Sequence, residues 1–580
     1  MNKKKLIQPI LQDHFILLFM LLLSVPGIII VILGFNIPFF RKFLWACYIT
    51  AFPLFLAYIL FLINLKWLKY FFYFLALLLF EVNMFLIFNF SCMLSPSILI
   101  LLQETNYQES SEFLSHYAFT SQSVLSYIIT LIEIAVIILC ERTKKKIHIQ
   151  YSFLPSIILI IWIFVAIVHV GSMTYMLFCK TQYSMEMWYS SIGLYDTENT
   201  FSNFLYSIHH LNITQYDNKK AVERNIIALE DTAKCNENDS LDIVVVIGES
   251  YNKHHSKLYG YMLNTTPNQC REKEKGHLFP FTDVVSPYNM TTYVIKNIMS
   301  VNSLNEKQYW ADFPIFPVIF RKVGFQVCIW DNQKIEGNMP FHDFSICSFL
   351  YHKKIEEIAY NYSNTSSFQY DEQLIDNFFK TTNMKTSFHN LSIFHLLGQH
   401  SYAKWRYPDN KKYNVFTAQD IKRKDLSNSQ RQAIAEYDNA TLYNDYVVNE
   451  IIKYYYNKNA LIVYLSDHGE EIYDYRNFLG RSHETNKNKN ALRHQYEIPF
   501  FIWCSDKYIR LHKDKINRIK SSLHKPYMTD NLPHLLFYLA SIYTKYYNEK
   551  HNLLSDKYIC GVRLIQNNID YDVNISNKRK

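Results

Sequence analysis

Ala460-Leu461-Ile462-Val463-Tyr464-Leu465-Ser466-Asp467-His468-Gly469-Glu470-Glu471 is the stretch whose reading decides the fold. Its first half is an unbroken apolar run of strand length, which reads as a buried strand, and an Asp-His pair follows at once. A carboxylate and an imidazole at a strand end have metal-ligand character. Far upstream, the β-branched run Ile243-Val244-Val245-Val246-Ile247 closes on Gly248-Glu249-Ser250. Two strands therefore deliver acidic and imidazole ligands to one edge of a sheet, where open α/β folds place their sites. Either stretch alone leaves room for the lesser reading, a turn with solvated polar residues; both in one chain argue for a site.

Around these two strands the rhythm is strand then helix. Leu241–Ile247 reads as a strand, Thr291–Ser300 as a helix, and Phe316–Val323 as a helix feeding the strand Phe325–Trp330. Leu391–His395 is a further strand, Arg431–Tyr455 a long helix, Leu461–Leu465 and Ile498–Trp503 strands, and Asn531–Tyr543 a helix. This alternation predicts a mainly parallel sheet covered by helices on both faces.

The first third of the chain is of another kind. Phe15–Phe35, Phe43–Asn64, Tyr70–Phe90, Val124–Cys140 and Phe153–Gly171 are long, nearly charge-free apolar stretches. Each is close to the roughly 20 residues a helix needs to cross the hydrocarbon, which predicts five membrane helices. The first is too long for a cleaved signal peptide and reads as a retained anchor. Lys3–Lys5, Lys66 with Lys69, and Arg142–Lys146 all fall on one side, which the positive-inside rule makes cytoplasmic; Arg41 and Lys42 disagree. Five crossings from an inside N-terminus put everything after Gly171 outside the cytoplasm.

Residues 1–172 are thus read as a five-helix transmembrane domain and 241–580 as an exported α/β domain. The polar, irregular stretch 173–240, with an amphipathic piece at Phe201–His210, is read as an interfacial connector. A formal net charge of +8 is small for 580 residues and disfavours nucleic acid as a partner. Of ten cysteines, Cys235, Cys270, Cys328, Cys347, Cys504 and Cys560 lie in the exported part, where an oxidising compartment permits disulfides, and none forms a C-x-x-C zinc pattern. Glu81 and Glu133 lie inside apolar stretches, where a carboxylate is costly; they contact headgroups or pair with neighbours such as Asn83.

Several motifs recur in a fixed order: Gly248-Glu249-Ser250, Leu258-Tyr259-Gly260-Tyr261, Thr265-Thr266-Pro267-Asn268, His395-Leu396-Leu397-Gly398-Gln399-His400 with Arg406-Tyr407-Pro408, Tyr437-Asp438-Asn439-Ala440, and Ser466-Asp467-His468-Gly469-Glu470. Together they resemble the membrane-anchored phosphoethanolamine transferases of the alkaline phosphatase and sulfatase superfamily. The resemblance spans about residues 241–510 by motif and the five-helix anchor by architecture. It implies a sulfatase-like fold for the exported domain, zinc as the metal, phosphatidylethanolamine as donor, a lipid-linked glycan as acceptor, and the periplasmic face of a bacterial inner membrane as the location.

The resemblance also assigns residues. The family's threonine nucleophile falls on Thr291 in Ser286-Pro287-Tyr288-Asn289-Met290-Thr291-Thr292, with Thr292 as rival. Glu249, Thr291, Asp467 and His468 would hold zinc, carboxylate and imidazole donors that suit it. His400 fits a substrate-side histidine, and His483 and His494 match the two histidines after the Asp-His-Gly-Glu motif that line the phosphate pocket or hold a second metal. His395 is read as a packed residue behind the site, and His254 and His255 as surface residues. A periplasmic loop at Met93–Gln122, with Glu104–Glu109, resembles the family's loop near the active site. The Ser286–Thr291 segment lacks the Cys-Gly-Thr context of the transferases acting on lipid A and is nearer to those that modify core sugars or other glycans.

Other members of the superfamily fit less well. A sulfatase needs Cys or Ser in a C/S-x-P-x-R context, which is missing near residue 291. A glycerol-phosphate transferase of the lipoteichoic acid synthase type shares the anchor and the threonine segment and is the enzymatic alternative. A non-catalytic membrane scaffold is the alternative of a different class, and retention of Glu249, Thr291, Asp467 and His468 argues against it.

Overall fold

The computed structural model describes residues 14–575 other than 35–38, 64, 91, 96–97, 100–101, 103–112, 114–116, 144–152, 180–198, 334–348, 383–386, 401, 482–488 and 567–568. The chain forms two compact units, one from residues up to Tyr216 and one from Asp217 onward.

The first unit is built from α1 (His14–Gly34), α2 (Phe39–Ile63), α3 (Lys66–Phe90), α4 (Ser121–Thr143) and α5 (Phe153–Phe178). All five are long and apolar enough to cross a membrane. They cover the five apolar stretches read from the sequence, apart from Phe35 and Asn64, which lie outside the described residues, and extend beyond them at several ends, because i→i−4 backbone bonds form through polar flanking residues as well. Glu81 is not paired with Asn83. It accepts hydrogen bonds from Ser126 Oγ at 2.9 Å and from Thr130 Oγ1, joining α3 to α4. Asn83 instead donates to the Leu79 carbonyl and accepts from the Leu94 amide. Glu104–Glu109 lies outside the described residues.

A sixth helix, α6 (Thr200–Ala228), begins in the first unit and ends in the second. The second unit is organised by a seven-stranded sheet. In chain order its strands are β1 (Leu241–Gly248), β2 (Leu278–Phe281), β3 (Gln326–Asp331), β4 (Tyr362–Ser363), β5 (His389–His395), β6 (Ala460–Ser466) and β7 (Phe500–Cys504). Their spatial order is β2-β7-β6-β1-β5-β3-β4. The pairs β1–β5, β1–β6, β3–β5 and β3–β4 are parallel, and β7 alone runs against its neighbours β6 and β2.

Alternate residues of the central strands enter two separate cores. Ile243, Val245 and Ile247, with Leu461, Val463 and Leu465, face one; Val244 and Val246, with Ile462 and Tyr464, face the other. A sheet apolar on both faces must be covered on both, which explains the continuous rather than alternating hydrophobic runs. Helices α7 (Thr291–Met299), α8 (Phe316–Lys322), α9 (Asn428–Tyr455), α10 (Lys489–Tyr496) and α11 (Leu532–Leu539) belong to this unit. Helix α9 starts at a capping box in which Ser427 Oγ accepts from Gln430 N and the Gln430 side chain accepts from Ser427 N.

One predicted helix is too long. α11 ends at Leu539, Ser541 adopts a left-handed φ of 53°, and Ile542–Thr544 pairs antiparallel with Ala233–Cys235. The β-branched Ile542 and Thr544 find a strand partner 300 residues upstream that local periodicity cannot reveal. Cys235, Cys270, Cys328 and Cys504 are unbridged thiols.

Candidate active site

The site forms where parallel strands end side by side. Register places Gly248 beside Ser466 and Ile247 beside His395, and Asp331 beside His395 on the next strand. The residues that follow, Glu249, Asp467 and His468, are completely buried, and one ligand atom from each lies within 4.8 Å of the others. Close approach is enforced by glycine. Gly398, in the loop after β5, has φ of 50°, and a Cβ there would come within 2.8 Å of the Glu249 backbone nitrogen and oxygen. A Cβ on Gly469 would meet the His494 carbonyl at 2.1 Å. No side chain fits at either position.

Thr291 is the first residue of α7, and its Oγ1 donates to Glu249 Oε2 at 3.0 Å and lies 3.3 Å from His468 Nε2. His468 Nδ1 donates to the Gly469 carbonyl at 2.9 Å, which leaves Nε2 as the ring atom facing the site. Nε2 is 2.9 Å from Asp467 Oδ2 and 3.4 Å from Glu249 Oε1. Ser250, at a left-handed φ of 56°, closes the turn: its amide donates to Asp467 Oδ1 at 2.9 Å and its hydroxyl to Glu249 Oε1 at 2.8 Å. A non-glycine residue held in that region signals a geometry imposed by its surroundings.

The charges oppose one another strongly. Burial pushes the Glu249 carboxyl up, but the His468 imidazole beside it, with His400 and Arg481 nearby, holds it well below the usual range. Asp467 is pushed up by burial and by the Glu249 charge. Burial works against the His468 imidazolium, yet Asp467 and Glu249 raise that ring to about 9. Glu470, buried behind them, is pushed up to about 7.

These residues fit a zinc ion. Two carboxylates, one imidazole nitrogen and the Thr291 hydroxyl are a four-donor set of the kinds zinc takes. Asp467 Oδ2 is buried and lies 2.9 Å from His468 Nε2, so two of the would-be ligand atoms already face each other. A guanidinium nitrogen of Arg481 lies 2.5 Å from His468 Nε2, which places a cation against the very atom a metal ion takes.

The other residues named from the sequence are distributed differently. His400 follows Gln399, whose amide donates to the Glu249 carbonyl at 3.0 Å, and burial with the nearby cations Arg406, Arg481 and His468 pushes its imidazole down to about 3. It is therefore neutral. His494, on α10, accepts from Asn252 Nδ2 at 3.1 Å, lies 3.6 Å from Asp474 and packs against the His254 ring at 4.7 Å. Burial pushes it down to about 4. His483 and the Thr292 side chain lie outside the described residues. His395 is buried behind the site, with Nδ1 3.0 Å from Asp331 Oδ1.

His255 is not a surface residue, and His254 is half-buried. His255 is 2% exposed and bridges Asp438 Oδ1 at 2.7 Å and Asp474 Oδ1 at 3.0 Å, while His254 pairs with Glu497 at 3.0 Å. Their partners lie more than 180 residues away, on α9 and beyond β6. Sequence reasoning also missed Gln333, whose Nε2 donates to Glu249 Oε2 at 3.1 Å and to the Leu396 carbonyl at 2.9 Å. Its signal was its place two residues past the end of β3, at the same sheet edge as Glu249 and Asp467.

The sequence pattern of the family described as Sulfatase matches residues 242–542. Phosphoethanolamine transferase EptC of Escherichia coli strain K12 is 26% identical over 503 residues, 82% of this chain and 82% of that protein. The C-terminal periplasmic domain of EptC from Escherichia coli, solved in complex with Zn, is 26% identical and superposes with a TM-score of 0.51, covering 60% of this chain and 98% of that one. The integral membrane lipooligosaccharide phosphoethanolamine transferase A from Neisseria meningitidis superposes with a TM-score of 0.62 over 93% of this chain and 98% of that one. At 17% identity that likeness carries the fold alone, helical anchor and sulfatase-like domain together.

Proposed function

This chain belongs to the sulfatase family, and on that premise we propose that it transfers phosphoethanolamine from phosphatidylethanolamine to a lipopolysaccharide-type glycolipid, on a core sugar or lipid A. The observation that carries the reading is the Thr291 hydroxyl, set 3.0 Å from Glu249 and 3.3 Å from His468 at the start of a helix. Support also comes from the phosphoethanolamine transferase that matches 82% of the chain. The catalytic domain comprises residues 241–580, with 173–240 as its connector to the five-helix anchor. It faces the periplasm of a bacterial inner membrane, where donor and acceptor lipids share one surface.

In the first half-reaction Thr291 Oγ1 forms a bond to the donor phosphorus while the phosphorus–oxygen bond to diacylglycerol breaks. The proton lost by Thr291 is made up on the departing diacylglycerol oxygen. The first-turn N–H groups of α7 and its positive dipole end attract the phosphoryl oxygens. Glu249, Asp467 and His468 would hold zinc together with Thr291. Zinc supplies a Lewis acid that lowers the hydroxyl's pKa and offsets charge on the phosphoryl group. Phosphoethanolamine remains on Thr291.

In the second half-reaction an acceptor oxygen bonds to that phosphorus and the bond to Thr291 breaks. A histidine of the substrate pocket takes the acceptor proton as general base. His483 and His494 are assigned to the substrate side on the motif resemblance.

The test is direct. Full-length protein incubated with fluorescent phosphatidylethanolamine should release diacylglycerol, and intact-mass analysis should find phosphoethanolamine on Thr291. Release from a phosphatidylglycerol donor instead would transfer the chain to the glycerol-phosphate class.

A further inference from the structure

We propose that Gln333 is a positioning residue that fixes the Glu249 carboxylate for metal binding, an inference that rests on the zinc reading of the site. Glu249 has two differently engaged oxygens. Oε1 accepts from Ser250 Oγ at 2.8 Å and faces His468; Oε2 accepts from Thr291 Oγ1 at 3.0 Å and from Gln333 Nε2 at 3.1 Å.

Both neighbours of the Gln333 amide nitrogen, Glu249 Oε2 and the Leu396 carbonyl, are acceptors, so the nitrogen and not the oxygen must face them. The backbone is pinned as well. Gln333 N donates to Asp331 Oδ1 at 2.7 Å, the same carboxylate oxygen that receives His395 Nδ1 at 3.0 Å, and Tyr351 Oη donates to Asp331 Oδ2. Asp331 is buried and ends β3, so the amide is aimed by a rigid element rather than by a flexible loop.

The consequence appears when Thr291 acts. A hydroxyl that loses its proton can no longer donate to Glu249 Oε2. Gln333 is then the donor that keeps this oxygen, and the carboxylate plane, in place. Without it the carboxylate gains a rotamer and the buried oxygen loses its hydrogen bond. Partners of this kind behind a metal ligand are worth about 10–100-fold in metal affinity.

The experiment is zinc competition against a chromophoric chelator on full-length, metal-stripped protein, comparing wild type with Gln333→Met and Gln333→Asn. Methionine keeps the length and loses the donor; asparagine keeps the donor but is one methylene too short to reach. Both should weaken zinc about 10–100-fold, with the melting temperature of the metal-stripped protein unchanged. If methionine prevents folding, asparagine decides. A folded variant that binds zinc as tightly as wild type overturns the role of Gln333 and leaves the zinc reading standing. Wild type that binds no zinc overturns both.

Discussion

Thr291 Oγ1 and Glu249 Oε2 lie 3.0 Å apart although 42 residues separate them in the chain. The contact joins the first turn of a helix to the end of a central strand, so the hydroxyl is held by two rigid elements. Thr291→Ala removes the attacking oxygen and leaves Glu249, Asp467 and His468 in place. The expected result is a folded, metal-binding protein whose transfer of phosphoethanolamine falls by several orders of magnitude. Thr292→Ala should cost far less. Diacylglycerol release by both variants measures this, and a normal Thr291→Ala with an inactive Thr292→Ala would move the nucleophile by one residue.

Metal content is the second prediction. Glu249, Asp467 and His468 converge within 4.8 Å in a fully buried position. Elemental analysis of purified protein should find zinc, and His468→Ala should abolish it, because imidazole is the donor whose loss leaves only oxygens in the set. Full activity in a strong chelator, with no zinc in the protein, would refute the assignment.

Much of this site was legible in the sequence because its strongest signals are local. A β-branched run ending in Gly248-Glu249 and another ending in Asp467-His468 carry both the strand and the ligand in one stretch. What was not legible depends on pairing across the fold. His255 looks like one polar residue among Asn252, Lys253 and His254 until Asp438 and Asp474 close on it. Gln333 has no pattern around it at all, and only the register of β3 against β5 shows that it reaches Glu249. Ile542–Thr544 reads as a helix end until its strand partner Ala233–Cys235 is known.

Orientation in the membrane is open to a third test. The basic run Arg142–Lys146 follows the fourth apolar helix, and the fifth begins at Phe153. The positive-inside rule places that run in the cytoplasm. A reporter active only in the cytoplasm should work when fused after Lys146, and one active only in the periplasm when fused after Ser240. The reverse pattern would overturn the five-crossing topology and move the candidate site to the wrong side for the proposed donor and acceptor.

The fourth prediction concerns the buried ion cluster beside the site. His255 has Asp438 on one ring nitrogen and Asp474 on the other, Tyr261 Oη donating to Asp438 at 2.8 Å, and the Tyr437 ring against its edge at 5.1 Å. Burial disfavours its charge, but the two carboxylates raise the imidazole to about 10. In the unfolded chain the same ring titrates near 6.5. The folded state therefore binds this proton more tightly than the unfolded state, and the stabilisation is fully present below about pH 6.5. It is lost as pH rises from there through about 10. Thermal melts of full-length protein should show stability falling over that interval. His255→Leu leaves two buried carboxylates without their cation and should cost about 3–5 kcal/mol near neutral pH. It should also flatten the alkaline slope. If the variant melts like wild type, with the same dependence on pH, the buried imidazolium is not what ties α9 to the turn after Glu249.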